Sequence, residues 1–252
     1  MLELTEYIDF HKGNIPLILS VPHGGKLECK NIPIRSQGIL GIDGRTIKIA
    51  KKLNELIKLE YQNQTGTAKS PSYVISKVRR SKIDLNRDET EAYVHSSLTA
   101  QKIYNFYFDK IREIVLDNLN LFNRSLLVDV HGFEKHKRPQ GYRDVELILG
   151  TNNLKSVFPE PVSIKEWGNN IRGKIVRKFQ ELSIPIAPNN PKRKEYVLTG
   201  GYITKKFGAS QIPKSQAIQI EFSDRIRIYD KKLEDMVLST LANIFFEDLT
   251  QL

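Results

Sequence analysis

Residues Leu126 to Phe133 read LLVDVHGF, an apolar run that ends on a histidine, a glycine and a phenylalanine. Such a run predicts a strand buried inside a sheet. Two other stretches share this pattern and also deliver a polar side chain at their end: Leu17 to Gly25 (LILSVPHGG) and Ala217 to Phe222 (AIQIEF). Helix-like stretches separate the three, which predicts an α/β fold with a largely parallel or mixed sheet.

The rest of the chain continues this alternation. Further strands are predicted at 73–78 and at 145–149, the latter as a neighbour of the 126–130 strand. Helical periodicity predicts helices at about 44–59, 99–120 and 164–182. An amphipathic helix closes the chain, with one apolar stripe formed by Leu233, Met236, Val237, Leu241, Ile244 and Phe245. With 252 residues and 40% hydrophobic content, we expect a single domain over residues 1–252.

The polar side chains at the three strand ends are His23, His131 and Glu221. In an open α/β sheet, ligands bind in the crevice beyond the carboxyl ends of the strands. Neutral imidazole is the commonest protein ligand of zinc, and a catalytic zinc site usually has three protein ligands and one open position. The three residues therefore predict a hydrolytic metal site, in which the histidine pair holds the metal and the glutamate handles protons.

The third ligand is not decided by spacing. Glu28 lies five residues after His23 in a predicted loop, and Asp43 directly precedes a predicted helix, where it could also serve as an N-cap. Asp129 lies two residues before His131, so both side chains point to one face of the strand. Asp129 is either a partner of the His131 ring or the cap of a loop. We interpret the other three histidines, His11, His95 and His136, as surface residues.

Three polar segments complete the candidate site. Residues 79–88 (RRSKIDLNRD) combine guanidinium groups with an amide, which suits bidentate binding of a carboxylate, although a self-paired charged turn would look the same. Two long basic loops, 131–143 and 187–201, adjoin the candidate strands. Long loops inside a compact domain are often lids or binding loops.

The net charge of +10 raises the question of a nucleic-acid partner. The lysines are spread along every predicted helix, which favours a solvated surface over a clustered phosphate-binding patch. The excess charge also suits attraction of a small anionic substrate. Cys29 is the only cysteine, so an internal disulfide or a multi-cysteine zinc site is excluded, as is typical of the cytosol. No signal-peptide pattern and no apolar run of about 20 residues occurs, so we expect a cytoplasmic protein without a membrane span.

Taken in order, these segments resemble the N-formylglutamate amidohydrolase family. The matching pieces run from about residue 17 to 230 and are Val21–Gly25 (VPHGG), Arg80 with Ile83–Arg87 (IDLNR), Val128–Gly132 (VDVHG), Asn190–Pro191, Thr199–Ile203 (TGGYI) with Phe207–Gly208, and Ala217–Glu221 (AIQIE). That family is similar in fold to zinc carboxypeptidases. The resemblance implies a single-domain three-layer α/β sandwich, with a mixed central sheet and helices on both faces.

The resemblance also implies roles for individual residues. Zinc would be bound by His23, Asp43 and His131, and Glu221 would be the general base and acid. Arg80 would stabilise the oxyanion, while the substrate would be held by Asn86, Arg87 and Arg143. One departure concerns the second ligand, because carboxypeptidases carry it three residues after the first histidine, where this chain has Lys26. The amidohydrolase family has an acidic residue further on, near a helix start, which favours Asp43 and keeps Glu28 as the alternative.

The expected activity is therefore zinc-dependent removal of a formyl or other small acyl group from an N-acyl amino acid. A hydrolase of the same fold that acts on another N-acyl amino acid or a short peptide is the first alternative. A non-enzymatic nucleic-acid-binding protein is the second, and a steep salt dependence of DNA or RNA binding would favour it.

Overall fold

The computed structural model describes residues 3–138, 140, 144–196 and 198–250. Within these residues seven strands form one sheet in the order β1-β3-β2-β4-β7-β5-β6. The strands are β1 (Ile8–His11), β2 (Leu17–Val21), β3 (Ser72–Ser76), β4 (Ser125–Phe133), β5 (Leu147–Gly150), β6 (Ile186–Ala187) and β7 (Ser215–Ser223). The four strands β3, β2, β4 and β7 are parallel to their neighbours in this group, whereas β1 and β5 pair antiparallel with β3 and β7. The sheet is therefore mixed, as the sequence predicted.

Helices cover both faces of the sheet. They are α1 (Thr46–Thr65), α2 (Glu89–Ala92), α3 (Leu98–Phe122), α4 (Ile171–Glu181), α5 (Tyr202–Lys206) and α6 (Lys231–Thr250). One apolar cluster joins α1, α4 and α6 to one face, and a second joins α3 and α5 to the other. Alternate residues of a strand supply the two clusters, as Leu127 and Val128 of β4 show. This arrangement confirms the three-layer α/β sandwich. Within the part of the chain that the structure describes, no helix is both long and apolar enough to cross a membrane.

The predicted place of β5 was wrong. This strand pairs antiparallel with β7, and β7 instead is the parallel neighbour of β4 over nine register positions. The reason is that β7 is buried along almost its whole length, so its apolar side chains need helices on both faces and a central position in the sheet. The shorter β5 lies outside it.

Several predicted boundaries shift. His131 lies inside β4, because the strand continues to Phe133. Helix α4 begins only at Ile171, where the Asn170 side chain accepts a hydrogen bond from the Gly173 backbone and caps the helix. In the stripe of α6, Met236 is 43% exposed while the other five predicted positions are buried.

Candidate metal and catalytic site

His23 and His131 lie side by side at the carboxyl end of the sheet. His23 follows β2 by two residues, His131 belongs to β4, and β2 and β4 are parallel neighbours. Their ring centroids are 4.9 Å apart at an angle of 74°. Both side chains are almost fully buried, at 1% and 2% exposure. The parallel strands therefore bring together the two histidines that are 108 positions apart in the chain.

Asp43 completes this cluster from the loop before α1. Its backbone N–H donates to the His23 carbonyl at 2.9 Å, which holds the two residues together. Its carboxylate oxygen Oδ2 lies 3.0 Å from Nδ1 of His131 and 3.6 Å from Nδ1 of His23. One donor atom from each of the three residues lies within 4.8 Å of the others. Glu28, the alternative third ligand, is exposed and pairs with Arg79, so it does not reach the cluster.

The Nε2–H group of each histidine ring donates a hydrogen bond to a buried carboxylate. His23 Nε2 lies 2.6 Å from Oδ1 of Asp84, and His131 Nε2 lies 2.8 Å from Oδ2 of Asp129. Both aspartates are fully buried. Such carboxylates fix the tautomer and the orientation of a metal-binding imidazole. They leave the Nδ1 atom of each ring facing Asp43, and Asp129 is the partner of the His131 ring rather than the cap of a loop.

The donor set fits a zinc ion. Nδ1 of His23 is buried and has no hydrogen-bond partner among the described residues. An unpaired buried nitrogen is costly unless another group satisfies it, and a metal ion does so. Two imidazole nitrogens and one carboxylate oxygen match the usual three protein ligands of a catalytic zinc, with the fourth position left for water or substrate.

The charges of this cluster are strongly coupled. Burial by itself would raise the pKa of Asp43, but the hydrogen bond from His131 and the neighbouring ring of His23 hold that pKa well below its usual range. Burial likewise opposes a charged His131, yet Asp129 and Asp43 raise the pKa of its imidazole well above the ordinary value. Because ligation requires neutral imidazole, a metal cation bound to this cluster would have to displace the proton of a charged His131.

Glu221 lies on β7 beside this cluster. It is 7% exposed, and its Oε1 accepts a hydrogen bond from Nε2 of Gln219 at 3.0 Å. Its Oε2 accepts one from Nη2 of Arg138 at 3.2 Å. Burial raises the pKa of Glu221, although the nearby charge of His131 opposes the shift. A carboxyl group with a raised pKa is better matched to proton transfer near neutral pH.

A cavity of about 630 Å³ opens over these residues. This volume lies within the usual range for small-molecule sites. Both long basic loops contribute to its wall, the first through Phe133, Glu134, Lys137 and Arg138 and the second through Leu198 to Gly201. Six cationic side chains also line it: Arg80, Arg87, Lys137, Arg138, Lys205 and Arg227. Their excess over the acidic lining residues outside the metal cluster makes the cavity suited to an anionic molecule.

The segment 79–88 supplies one wall of the cavity. Arg80 donates from Nε to Asp84 at 3.1 Å, and its Nη1 lies 3.7 Å from Oδ1 of Asp43. Arg87 is about half exposed, and among the described residues its guanidinium pairs only at long distances, with Asp84 at 4.0 Å and with Glu91 at 3.6 Å. Its guanidinium is therefore available to a ligand. The segment is thus more than a self-paired charged turn, since it places two arginines on the cavity.

Asn86 also lines the cavity, but its amide is engaged inside the protein. Its Oδ1 accepts a hydrogen bond from the Ile203 backbone at 3.0 Å, and its Nδ2 lies 3.4 Å from Oε1 of Gln219. Asn86 thus connects the 79–88 segment to the start of α5. Arg143, the third residue expected to hold substrate, lies outside the described residues.

Sequence reasoning missed Asp84 as the partner of His23. The signal was present, because Asp84 lies between two apolar residues, Ile83 and Leu85, which are buried on the same short segment. Burial by itself would raise the pKa of Asp84, but the His23 hydrogen bond and the charges of Arg80 and Arg35 hold it below its usual range. Asp84 thus stays an anion and connects the His23–Asp43–His131 cluster with Arg80 of the cavity wall.

Two buried arginines that the sequence did not reveal brace the surrounding loops. Arg172 of α4 pairs with Glu195 at 2.9 Å and donates to the Pro191 and Arg193 carbonyls, which anchors the 187–201 loop. Arg227 donates to the Phe222 and Phe133 carbonyls and to that of Gly44, beside Asp43. The predicted surface histidines, His11, His95 and His136, are exposed.

The fold and the cluster define an α/β protein whose mixed sheet carries a His–Asp–His group and a glutamate at the carboxyl ends of its central strands. The crystal structure of an N-formylglutamate amidohydrolase from Ralstonia eutropha JMP134 has this fold, with a TM-score of 0.61 and 13% identity over 96% of each chain. A gene product from Agrobacterium tumefaciens gives a TM-score of 0.55 and 11% identity, over 96% of this chain and 93% of that one. These likenesses show the fold, and they agree with the resemblance of the sequence motifs.

Likeness to a protein provisionally assigned as carboxypeptidase A from Shewanella denitrificans OS-217 is weaker. Its TM-score is 0.47 at 13% identity, over 92% of this chain and 56% of that one. No family profile and no curated protein matches the sequence.

Proposed function

We propose that this protein is a zinc-dependent amidohydrolase that removes a formyl or other small acyl group from an N-acyl amino acid. The observation that carries the proposal is the buried cluster of His23, Asp43 and His131, whose donor atoms converge beside Glu221. A cluster of this kind at the floor of a cationic cavity suits the hydrolysis of an anionic amide.

His23 and His131 would hold the zinc ion through Nδ1, and Asp43 through a carboxylate oxygen. When bound there, zinc supplies a Lewis acid that makes water a better nucleophile near neutral pH. Asp84 and Asp129 keep the two imidazoles in the required tautomer, because each accepts the proton on Nε2.

Glu221 moves the protons of the reaction. Its carboxylate takes a proton from the attacking water and later donates a proton to the amine nitrogen, so that the C–N bond breaks as the new C–O bond is kept. The products are the free amino acid and formate, or another small carboxylate. Arg138 contacts Glu221 in this structure, and the long 131–143 loop that carries it borders the cavity.

Arginines of the cavity wall bind the negative charges. Arg80 lines the cavity beside Asp43, where its guanidinium would stabilise the tetrahedral oxyanion. Arg87, with a half-exposed guanidinium, binds the carboxylate of the amino acid in a bidentate manner. Asn86 orients this side of the site, and Arg143 contributes a further cation.

An alternative substrate within the same proposal is another N-acyl amino acid or a short peptide. The size of the cavity and the two long loops at its wall support this alternative, because binding residues are often carried on such loops. We further propose that the protein acts in the cytoplasm as one domain. The lone buried cysteine supports this location.

The test combines metal analysis with a substrate screen. Purified protein should contain zinc, and it should release free amine from at least one N-formyl or N-acetyl amino acid. A chelator should abolish the release, and added zinc should restore it. Metal-free protein with full activity would exclude the zinc site, and turnover of short peptides alone would favour the alternative substrate.

A further inference from the structure

Gln219 occupies a central position that the proposed function leaves unused. It lies on β7 two residues before Glu221, so both side chains point to the same face of the sheet. In the parallel ladder Gln219 is opposite Asp129, as Glu221 is opposite His131. The side chain borders the cavity, yet the residue is only 4% exposed.

The amide of Gln219 bridges two parts of the site. Its Nε2 donates to Oε1 of Glu221 at 3.0 Å, and its Oε1 accepts a hydrogen bond from the Gly201 backbone N–H at 2.7 Å. The chemistry of the partners determines which end is which. A backbone N–H can only donate and therefore requires the oxygen, which leaves the NH₂ group for the carboxylate.

The second partner belongs to a sharp turn that forms one wall of the cavity. Gly200 has a φ of +101°, which side-chain-bearing residues rarely adopt. Gly201 packs against the amide of Asn86 so closely that any side chain there would collide with it. The Ile203 N–H donates to Oδ1 of Asn86, so Gln219 and Asn86 together hold the start of α5.

We propose that Gln219 is a positioning residue that holds the Glu221 carboxylate and the Gly200–Gly201 turn in one arrangement. One buried amide connects them, so the proton-transferring group and this wall of the cavity keep a constant separation. A rotation of the amide would lose these bonds, because its oxygen faces two donors, the Gly201 N–H and Nδ2 of Asn86, while its NH₂ group faces the Glu221 carboxylate. The role of the Gln219–Glu221 hydrogen bond in catalysis rests on the proposed function. The hydrogen bond from Gly201 to Gln219 does not depend on that function.

The variant Gln219→Met tests the inference. Methionine has nearly the same length and fills the same space, but it makes neither hydrogen bond. The matched control is Gln216→Met, which changes the same residue type on the same strand. The amide of Gln216 donates to the Val157 carbonyl, away from the cavity.

Three measurements separate positioning from packing: zinc content, the kcat and KM for an N-acyl amino acid, and hydrogen exchange of the Gly201 amide by NMR. For Gln219→Met we expect unchanged zinc and a similar KM. We expect kcat to fall by roughly 10- to 100-fold, because this is the usual effect of losing a hydrogen-bond partner that orients a functional side chain. The Gly201 amide should exchange at least about tenfold faster, because its acceptor is gone. The control should change none of these values.

Parental kcat in Gln219→Met, or unchanged exchange at Gly201, would overturn the inference. Faster exchange at the strand amides Ile218 and Ile220 together with loss of zinc would also overturn it, since Gln219 would then only stabilise the sheet. If the parent protein hydrolyses no N-acyl amino acid, the proposed function fails by itself. The exchange rate of Gly201 then still decides whether Gln219 holds the turn.

Discussion

His131 of β4 lies directly opposite Glu221 of β7 in the parallel ladder. Paired residues of neighbouring parallel strands point to the same face, at a backbone separation of about 4.8 Å. The candidate metal ligand and the candidate proton carrier are therefore positioned by the most buried part of the sheet. Their separation does not depend on the loops that surround the cavity.

The first prediction concerns the histidine pair. Either His23→Ala or His131→Ala should remove most of the bound zinc, because each change deletes one of the three proposed protein ligands. Elemental analysis of protein purified without added metal measures the loss. The exposed His95→Ala is the matched control and should keep about one zinc ion per chain. Full occupancy in both site variants would disprove the metal centre.

The second prediction separates the two candidate third ligands. Asp43→Ala should lose zinc, since its carboxylate is the one that faces both Nδ1 atoms. Glu28→Ala should keep it, because Glu28 is exposed and pairs with Arg79. Zinc titration of both variants measures which one binds the metal. Loss of zinc in Glu28→Ala but not in Asp43→Ala would make Glu28 the third ligand.

The third prediction concerns Glu221. Glu221→Gln preserves the shape and can keep one of the two hydrogen bonds, from Arg138 or from Gln219, but its amide cannot exchange protons. We expect normal folding and normal zinc content, with turnover lower by roughly 10²-fold or more. Steady-state kinetics and metal analysis on the same preparation measure both quantities. Normal turnover would show that the proton carrier is another residue.

The fourth prediction concerns the carboxylate behind His23. Asp84→Asn still accepts a hydrogen bond but loses the charge that stabilises the metal-facing tautomer. Zinc affinity should fall by roughly 10- to 100-fold. The exposed Asp109→Asn is a control with the same change in net charge. Equal affinities of the two variants in a competition assay with a chelator would exclude this role for Asp84.

The fifth prediction concerns substrate recognition by Arg87. Arg87→Ala should lose most activity towards an N-acyl amino acid, and Arg87→Lys should restore it only in part, because lysine lacks the planar fork. The corresponding N-acyl amino acid amide lacks the carboxylate. We expect this amide to be a poor substrate for the parent protein, and Arg87→Ala should alter its turnover little.

Kinetics with both substrates and both proteins form a double cycle. A coupling between Arg87 and the substrate carboxylate supports direct recognition. Equal losses on the acid and the amide would mean that Arg87 supports the segment 79–88 without contacting the substrate.

The sequence by itself determined the central strands and the side chains that they deliver. Buried strands are coded locally, by apolar runs that end in a polar residue, so His23, His131 and Glu221 could be recognised without coordinates. The alternation of strand residues also placed Asp129 on the face of His131. The alternation of strands and helices predicted an α/β fold with a largely parallel or mixed sheet.

Only the tertiary structure decided which loop residues join His23, His131 and Glu221 in the site. Asp43 and Glu28 were equivalent by spacing, and the path of the chain before α1 brought one of them to the histidines. The partner of His23, Asp84, and the bridge made by Gln219 depend on contacts between segments 61 and 18 positions apart. The central place of β7 likewise depended on competition between strands for burial. Such choices are made by packing between distant segments, which a local pattern does not encode.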